Sequence, residues 1–118
     1  GYLIKGELKS ALFLPDIDKW EKWDKKIEDF IENVDFAFID GTFYNGDELP
    51  HRNIDEIPHP FVVETLERFK KLKKRDKKKV YFIHLNHTNP LLKPNNIITK
   101  EIIKRGYNIA RTGMKFEL

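Results

Sequence analysis

Three short apolar runs in the chain each stop at a residue able to hold a metal ion or move a proton. Ala11-Leu12-Phe13-Leu14-Pro15 runs into Asp16, Phe36-Ala37-Phe38-Ile39 into Asp40, and Val80-Tyr81-Phe82-Ile83 into His84. The third opens the phrase His84-Leu85-Asn86-His87-Thr88-Asn89-Pro90. A hydrolytic metal site needs carboxylate oxygens and imidazole nitrogens, a position open to water, and partners that orient the ligands. Asp16 has two oxygens and can bridge two cations. His84 can ligate through one ring nitrogen while the other donates a hydrogen bond. Each residue alone is ordinary: an Asp after a strand more often caps a helix, and a His there is more often structural. Asp40 before Gly41-Thr42 likewise reads as turn chemistry. The repetition carries the weight, because open α/β sheets build reactive sites at the carboxyl ends of their strands.

The elements that must position these residues can be read from periodicity. Tyr2 to Ile4 and Ala11 to Leu14 form a hairpin turning through Gly6-Glu7-Leu8-Lys9. Trp20, Trp23, Ile27, Phe30, Ile31 and Val34 recur at helical spacing, a stripe that belongs to a core, with Asp16 or Asp18 as its cap. Phe36 to Ile39 is apolar on both faces and therefore central and parallel. Gly41 to Pro58 is a long loop rich in turn formers, of the length that is usually functional or mobile. A helix follows Pro60, with Phe61, Val62, Leu66, Phe69 and Leu72 on its buried side. After the strand Val80 to Ile83, a short helix from Thr99 stops at Gly106. Tyr107 to Ala110 and Met114 to Glu117 read as a closing hairpin. The predicted order is β-β-α-β-α-β-α-β-β, an α/β chain.

The 118 residues fit one domain, and 40% hydrophobic with 35% charged residues describes a globular chain. No stretch approaches the roughly 20 apolar residues of a membrane span. The absence of cysteine excludes disulfides and thiolate-ligated metals and is compatible with a reducing cytoplasm, the expected location. The start lacks an initiator Met and reads as though inside a strand, so the chain is expected to be a piece of a longer protein. Between Lys70 and Lys79 eight basic residues surround Asp76. A polyanion patch is one reading and a solvated helix end the other. The second is favoured, since no aromatic side chains interleave for base stacking.

Taken in order, Leu14-Pro15-Asp16, Val34-Asp35 leading to Ile39-Asp40-Gly41-Thr42-Phe43, Ile57-Pro58-His59-Pro60 and Ile83-His84-Leu85-Asn86 resemble the second half of a metallo-β-lactamase-fold hydrolase. Asp40-Gly41-Thr42-Phe43, Asp47-Glu48, the His84 to Pro90 phrase and Gly113-Met114 most resemble the pyrroloquinoline quinone biosynthesis protein B branch. Ribonuclease Z and the cyclic-phosphate phosphodiesterases are more distant cousins. The resemblance spans residues 1–118 as a single partial domain, the C-terminal half of an αββα sandwich. It implies that Asp16 bridges two metals and that His84 is the last histidine ligand. It also implies that Asp40 works with the loop residue His59 as a proton relay. The metal is expected to be zinc, with iron or manganese as alternatives. In the intact protein a hydroxide between two cations would attack an ester or phosphodiester of a small-molecule substrate, or the chemistry would be oxidative.

Several departures qualify that picture. His59 precedes Pro60 where ribonuclease Z carries a small hydroxylic residue, which weakens a nucleic-acid-processing reading. Asn86 and Asn89 are positioned to hold the histidine loop. His87 replaces an expected asparagine and is assigned beside the ligands or to the surface, and His51 to the substrate side or the surface. The four histidines are isolated, so the His-x-His-x-Asp-His ligands of the family are missing. Two ligands do not retain a dinuclear centre. The metal therefore requires the missing N-terminal half, which, or a second copy, should also cover an exposed sheet face. A non-catalytic α/β interaction module, with Asp16, Asp40 and His84 as caps and turns, is the reading from another class.

Overall fold

The computed structural model describes residues 1–118. Five strands form one sheet in sequential order: β1 (Tyr2–Lys5), β2 (Ser10–Leu14), β3 (Phe36–Asp40), β4 (Val80–Ile83) and β5 (Asn108–Ile109). β1 runs antiparallel to β2, closing through a bond from Gly6 N to Lys9 O (2.9 Å), and every later neighbour is parallel. The connections carry α1 (Ile27–Glu32), α2 (Val62–Phe69), α3 (Lys74–Lys77) and α4 (Ile97–Lys104).

Right-handed crossovers that always step the same way leave their helices on one side of a sheet. The core has that form. Leu12, Leu14, Ala37, Ile39, Val80, Phe82 and Ile109 alternate along the strands and share one buried cluster with Ile27, Ile31, Val62, Leu66, Phe69 and Ile102 from the helices. The opposite face is aromatic and only half-buried. Phe13 packs edge-on to Phe38, and Phe116 lies across Phe36, Phe38 and Tyr81 with ring centroids 4.9–5.2 Å apart.

The structure corrects three details of the sequence reading. The final hairpin does not form: β5 has two residues, and Met114 to Glu117 is not a strand. Gly113 turns the chain at φ +91°, and Phe116 takes up the three aromatic contacts instead of a place beside β5. The stripe from Trp20 to Val34 is also not one helix. A 3-10 turn at Trp20–Lys22 is separated from α1 by extended backbone at Trp23 and the charged run Asp24-Lys25-Lys26. Tertiary bonds hold the first piece: Trp20 Nε1 donates to Thr65 Oγ1 (2.8 Å), and the buried Lys19 ammonium reaches Glu64 (2.6 Å). Neither Asp16 nor Asp18 caps α1, whose first turn has no side-chain cap.

The basic run forms α3 and its flanks, with several of its charges engaged. Lys79 pairs with the buried Asp76 (2.8 Å) and donates to Ile31 O (3.0 Å), and Lys70 pairs with Glu67. Tyr107 is fully buried, and its hydroxyl has no hydrogen-bond partner. Burial pushes this phenol above its ordinary value. No helix is long and apolar enough to cross a membrane.

Candidate functional site

The parallel register aligns the strand ends. Leu14 lies beside Ile39, and Asp40 beside Ile83, so Asp16, Asp40 and His84 leave the sheet at the same edge. Asp16 and His84 then turn sharply: they are the two non-glycine residues with left-handed backbone, at φ 52° and 64°. Such conformations cost free energy and concentrate where a side chain must be aimed. Asp40 stays extended, and the chain after it hugs β4. Gly41 N donates to Ile83 O (2.7 Å), and a Cβ on Gly41 would fall 3.0 Å from Phe82 Cβ and 3.2 Å from Ile83 O. Glycine suits that close approach, since a Cβ there would press on both neighbours.

Asp40 is the centre of the site. Its fully buried carboxylate accepts four hydrogen bonds, the number a carboxylate can hold. Oδ1 accepts from Thr42 N (2.8 Å) and Thr42 Oγ1 (2.6 Å). Oδ2 accepts from Ile17 N (3.0 Å) and His59 Nδ1 (2.8 Å). The long loop thus brings His59 back from a distant part of the sequence. Phe43 packs edge-on to its ring at 5.9 Å, and its Nε2 lies 3.5 Å from Asp16 Oδ1. The ring of His84 sits 6.2 Å from that of His59, with Nδ1 2.8 Å from Thr42 Oγ1.

Asp16, Asp40 and His59 each bring a possible ligand atom within 4.8 Å of the others. Asp40 is an unsuitable member of that set, because four donors already occupy its oxygens. Outside the Asp40 hub lie the Asp16 carboxylate, 72% exposed with His59 Nε2 at 3.5 Å, and His84, which is not in the three-residue group and meets the hub through its Nδ1. Hard oxygen with imidazole nitrogen is a donor set that suits zinc or a neighbouring divalent cation. It is too small to close a centre by itself.

The surrounding residues hold the two loops together. Asn89 donates to Gly41 O (2.6 Å) and Thr42 O (3.2 Å) and accepts from Leu91 N, while Asn86 N donates to Thr42 O (2.8 Å). The Asn86 side chain reaches Thr88, whose hydroxyl donates to Glu48 (2.8 Å). Glu48 also receives Tyr44 N and Asn45 N, fixing the start of the long loop. His87 is exposed on the turn after Asn86. His51 is exposed on the far part of the long loop. Thr42 and Glu48 were not singled out as individual site residues from sequence: a Thr after Gly reads as turn chemistry, and a loop Glu carries no periodic signal.

Residues 1–85 match the family described as beta-lactamase superfamily domain. The coenzyme PQQ synthesis protein B of Pseudomonas putida (strain KT2440) is 29% identical over 106 residues, covering 80% of this chain and 33% of that protein. Its counterpart from Acinetobacter baumannii (strain ACICU) is 28% identical over 115 residues, covering 93% and 37%. The crystal structure of Zn2+-bound PqqB from Methylobacterium extorquens superposes with a TM-score of 0.73 at 17% identity, covering 98% of this chain and 42% of that one. The chain spans about a third of the length of the curated relatives it matches.

Proposed function

Because the chain belongs to the beta-lactamase superfamily domain family, we propose that it is the C-terminal part of a PqqB-like, metal-dependent hydrolase-fold enzyme. One observation carries the assignment. The two residues held in left-handed backbone, Asp16 and His84, flank one buried hub, Asp16 through His59 and His84 through Thr42. Asp16 and His84 would hold a divalent cation, zinc first and iron or manganese as alternatives, together with histidines of the missing N-terminal half. Such a cation supplies Lewis-acid activation of water or of an ester or phosphodiester oxygen.

The chain's own residues supply the proton chemistry. Asp40 accepts from His59 Nδ1, which fixes the ring and leaves Nε2 directed toward Asp16 and the open edge. An imidazole backed by a buried carboxylate is suited to take up a proton and deliver it to a leaving oxygen. The relatives' name, coenzyme PQQ synthesis protein B, supports a role in that synthesis, and we propose a small-molecule substrate with it.

The half-buried aromatic face around Phe38, Tyr81 and Phe116 supports the N-terminal half as the natural cover, since about two thirds of the relatives' length lies outside this chain. Alone, the chain should pair through that face, and sedimentation of a stable monomer would contradict this. Two of the eight basic residues of the run, Lys70 and Lys79, are paired with Glu67 and Asp76, which keeps a nucleic-acid role as the less favoured reading.

The test joins this chain to the upstream segment of its parent gene product and measures bound zinc. Asp16→Ala and His84→Ala should each lose most of the metal, while His59→Gln should keep it and lose turnover. Zinc content unchanged in the first two would sink the ligand assignment.

A further inference from the structure

The hydroxyl of Thr42 stands between the buried carboxylate and the second histidine, and counting protons gives it a definite task. A threonine hydroxyl has one hydrogen to donate and lone pairs to accept with. Its oxygen lies 2.6 Å from Asp40 Oδ1 and 2.8 Å from His84 Nδ1. Each oxygen of Asp40 accepts a backbone N–H, and His59 Nδ1 adds a third contact at Oδ2, surroundings that fit a carboxylate that can only accept. Were the hydroxyl hydrogen turned to His84, two bare oxygens would face each other at 2.6 Å in a buried place. The hydrogen therefore points to Asp40, and the hydroxyl accepts from His84 Nδ1–H. The same oxygen is 3.5 Å from His59 Nδ1, which instead has Asp40 Oδ2 at 2.8 Å.

We propose that Thr42 is a positioning residue that passes the orientation of Asp40 to His84, so that one carboxylate selects the same tautomer in two histidines. Both rings carry hydrogen on Nδ1; the Nε2 of His59 faces Asp16 Oδ1 at 3.5 Å, and that of His84 is left without a proton. His59 is fixed directly and His84 through one hydroxyl. The usefulness of that tautomer rests on the metal-ligand reading of His84, but the tautomer itself does not.

Long-range proton–nitrogen correlation spectra of the metal-free 118-residue chain, taken at about pH 8, above the ordinary histidine range, read the tautomers directly. The wild-type chain should give Nδ1–H for both His59 and His84. Thr42→Val, of similar shape but without a hydroxyl, should release His84 to the Nε2–H form while His59 keeps its own. Thr42→Ser should restore His84, an outcome that a purely packing role for Thr42 would not produce. In the zinc-loaded parent, Thr42→Val should weaken metal binding by about 10- to 100-fold, the usual effect of losing a ligand's orienting partner. An Nε2–H tautomer at His84 in the wild-type chain overturns the proposal, whether or not Thr42→Val folds. So does an Nδ1–H tautomer that survives in folded Thr42→Val. If the tautomers behave as stated but His84→Ala leaves zinc unchanged, the relay stands and the ligand reading falls.

Discussion

Asp16 and Asp40 follow adjacent parallel strands and both approach the imidazole of His59, yet their carboxylates have opposite surroundings. That of Asp40 is fully buried and surrounded by four donors. That of Asp16 is 72% exposed, with His59 Nε2 at 3.5 Å as its one ion-pair neighbour. The difference comes from the backbone. After Asp40 the chain stays pressed against β4 through Gly41, which returns Thr42 to the carboxylate. At Asp16 it swings into the left-handed region and throws the side chain outward. The same residue type at equivalent strand ends thus becomes a buried hydrogen-bonding hub in one case and an exposed carboxylate, the proposed ligand, in the other.

The harshest way to break this contrast is Asp40→Ala, which strands two backbone N–H groups, a hydroxyl and an imidazole away from water. Urea denaturation should register a loss of about 3–5 kcal/mol. A loss below about 1 kcal/mol would mean that those donors find other partners and that the hub is not one. Gly41→Ala tests how the hub is assembled. Its Cβ would press on Phe82 and Ile83, and a cost of about 1–3 kcal/mol is expected. Tyr107 supplies the reverse case, a buried polar group without a partner. Tyr107→Phe should raise stability by about 1 kcal/mol. Because burial raises this phenol, the folded state holds its proton more tightly than the unfolded chain does. The corresponding stability is present below the ordinary value of about 10 and is lost as pH climbs through the folded value. The phenylalanine variant should therefore lack that alkaline loss in melts recorded across the range. The smallest effect belongs to Asp16→Asn, which tolerates the same backbone and touches little. Its stability should stay within about 0.5 kcal/mol of the parent chain, and a larger drop would mean that Asp16 is structural after all.

The sheet was legible because its central strands are apolar on both faces, which leaves parallel burial as their natural fate, and because turn formers bracket each run. The juxtaposition of Asp40 with His59 was legible only through the family resemblance; nothing local in Ile57-Pro58-His59 says that its ring returns to a strand end. Thr42 lay outside either route, since its task depends on a partner that is 42 residues away. The broken helix near Trp23 and the missing last strand share one cause. In both, a long-range contact, Trp20 with Thr65 or Phe116 with the sheet face, outweighed a local periodicity that was present.

The left-handed backbone at Asp16 and His84 sets selection for robustness against selection for function. Glycine adopts that conformation without the Cβ penalty, so at these two positions it should fold better, by about 1 kcal/mol, than the residues that are there. A saturation library ranked by thermal resistance should lift Gly at 16 and 84, and the same library joined to the upstream segment and ranked by retained zinc should lift Asp and His if they are the proposed ligands. Stability-driven engineering of this chain would accordingly replace first the two residues proposed as ligands, at the places where the unmodified backbone is least comfortable.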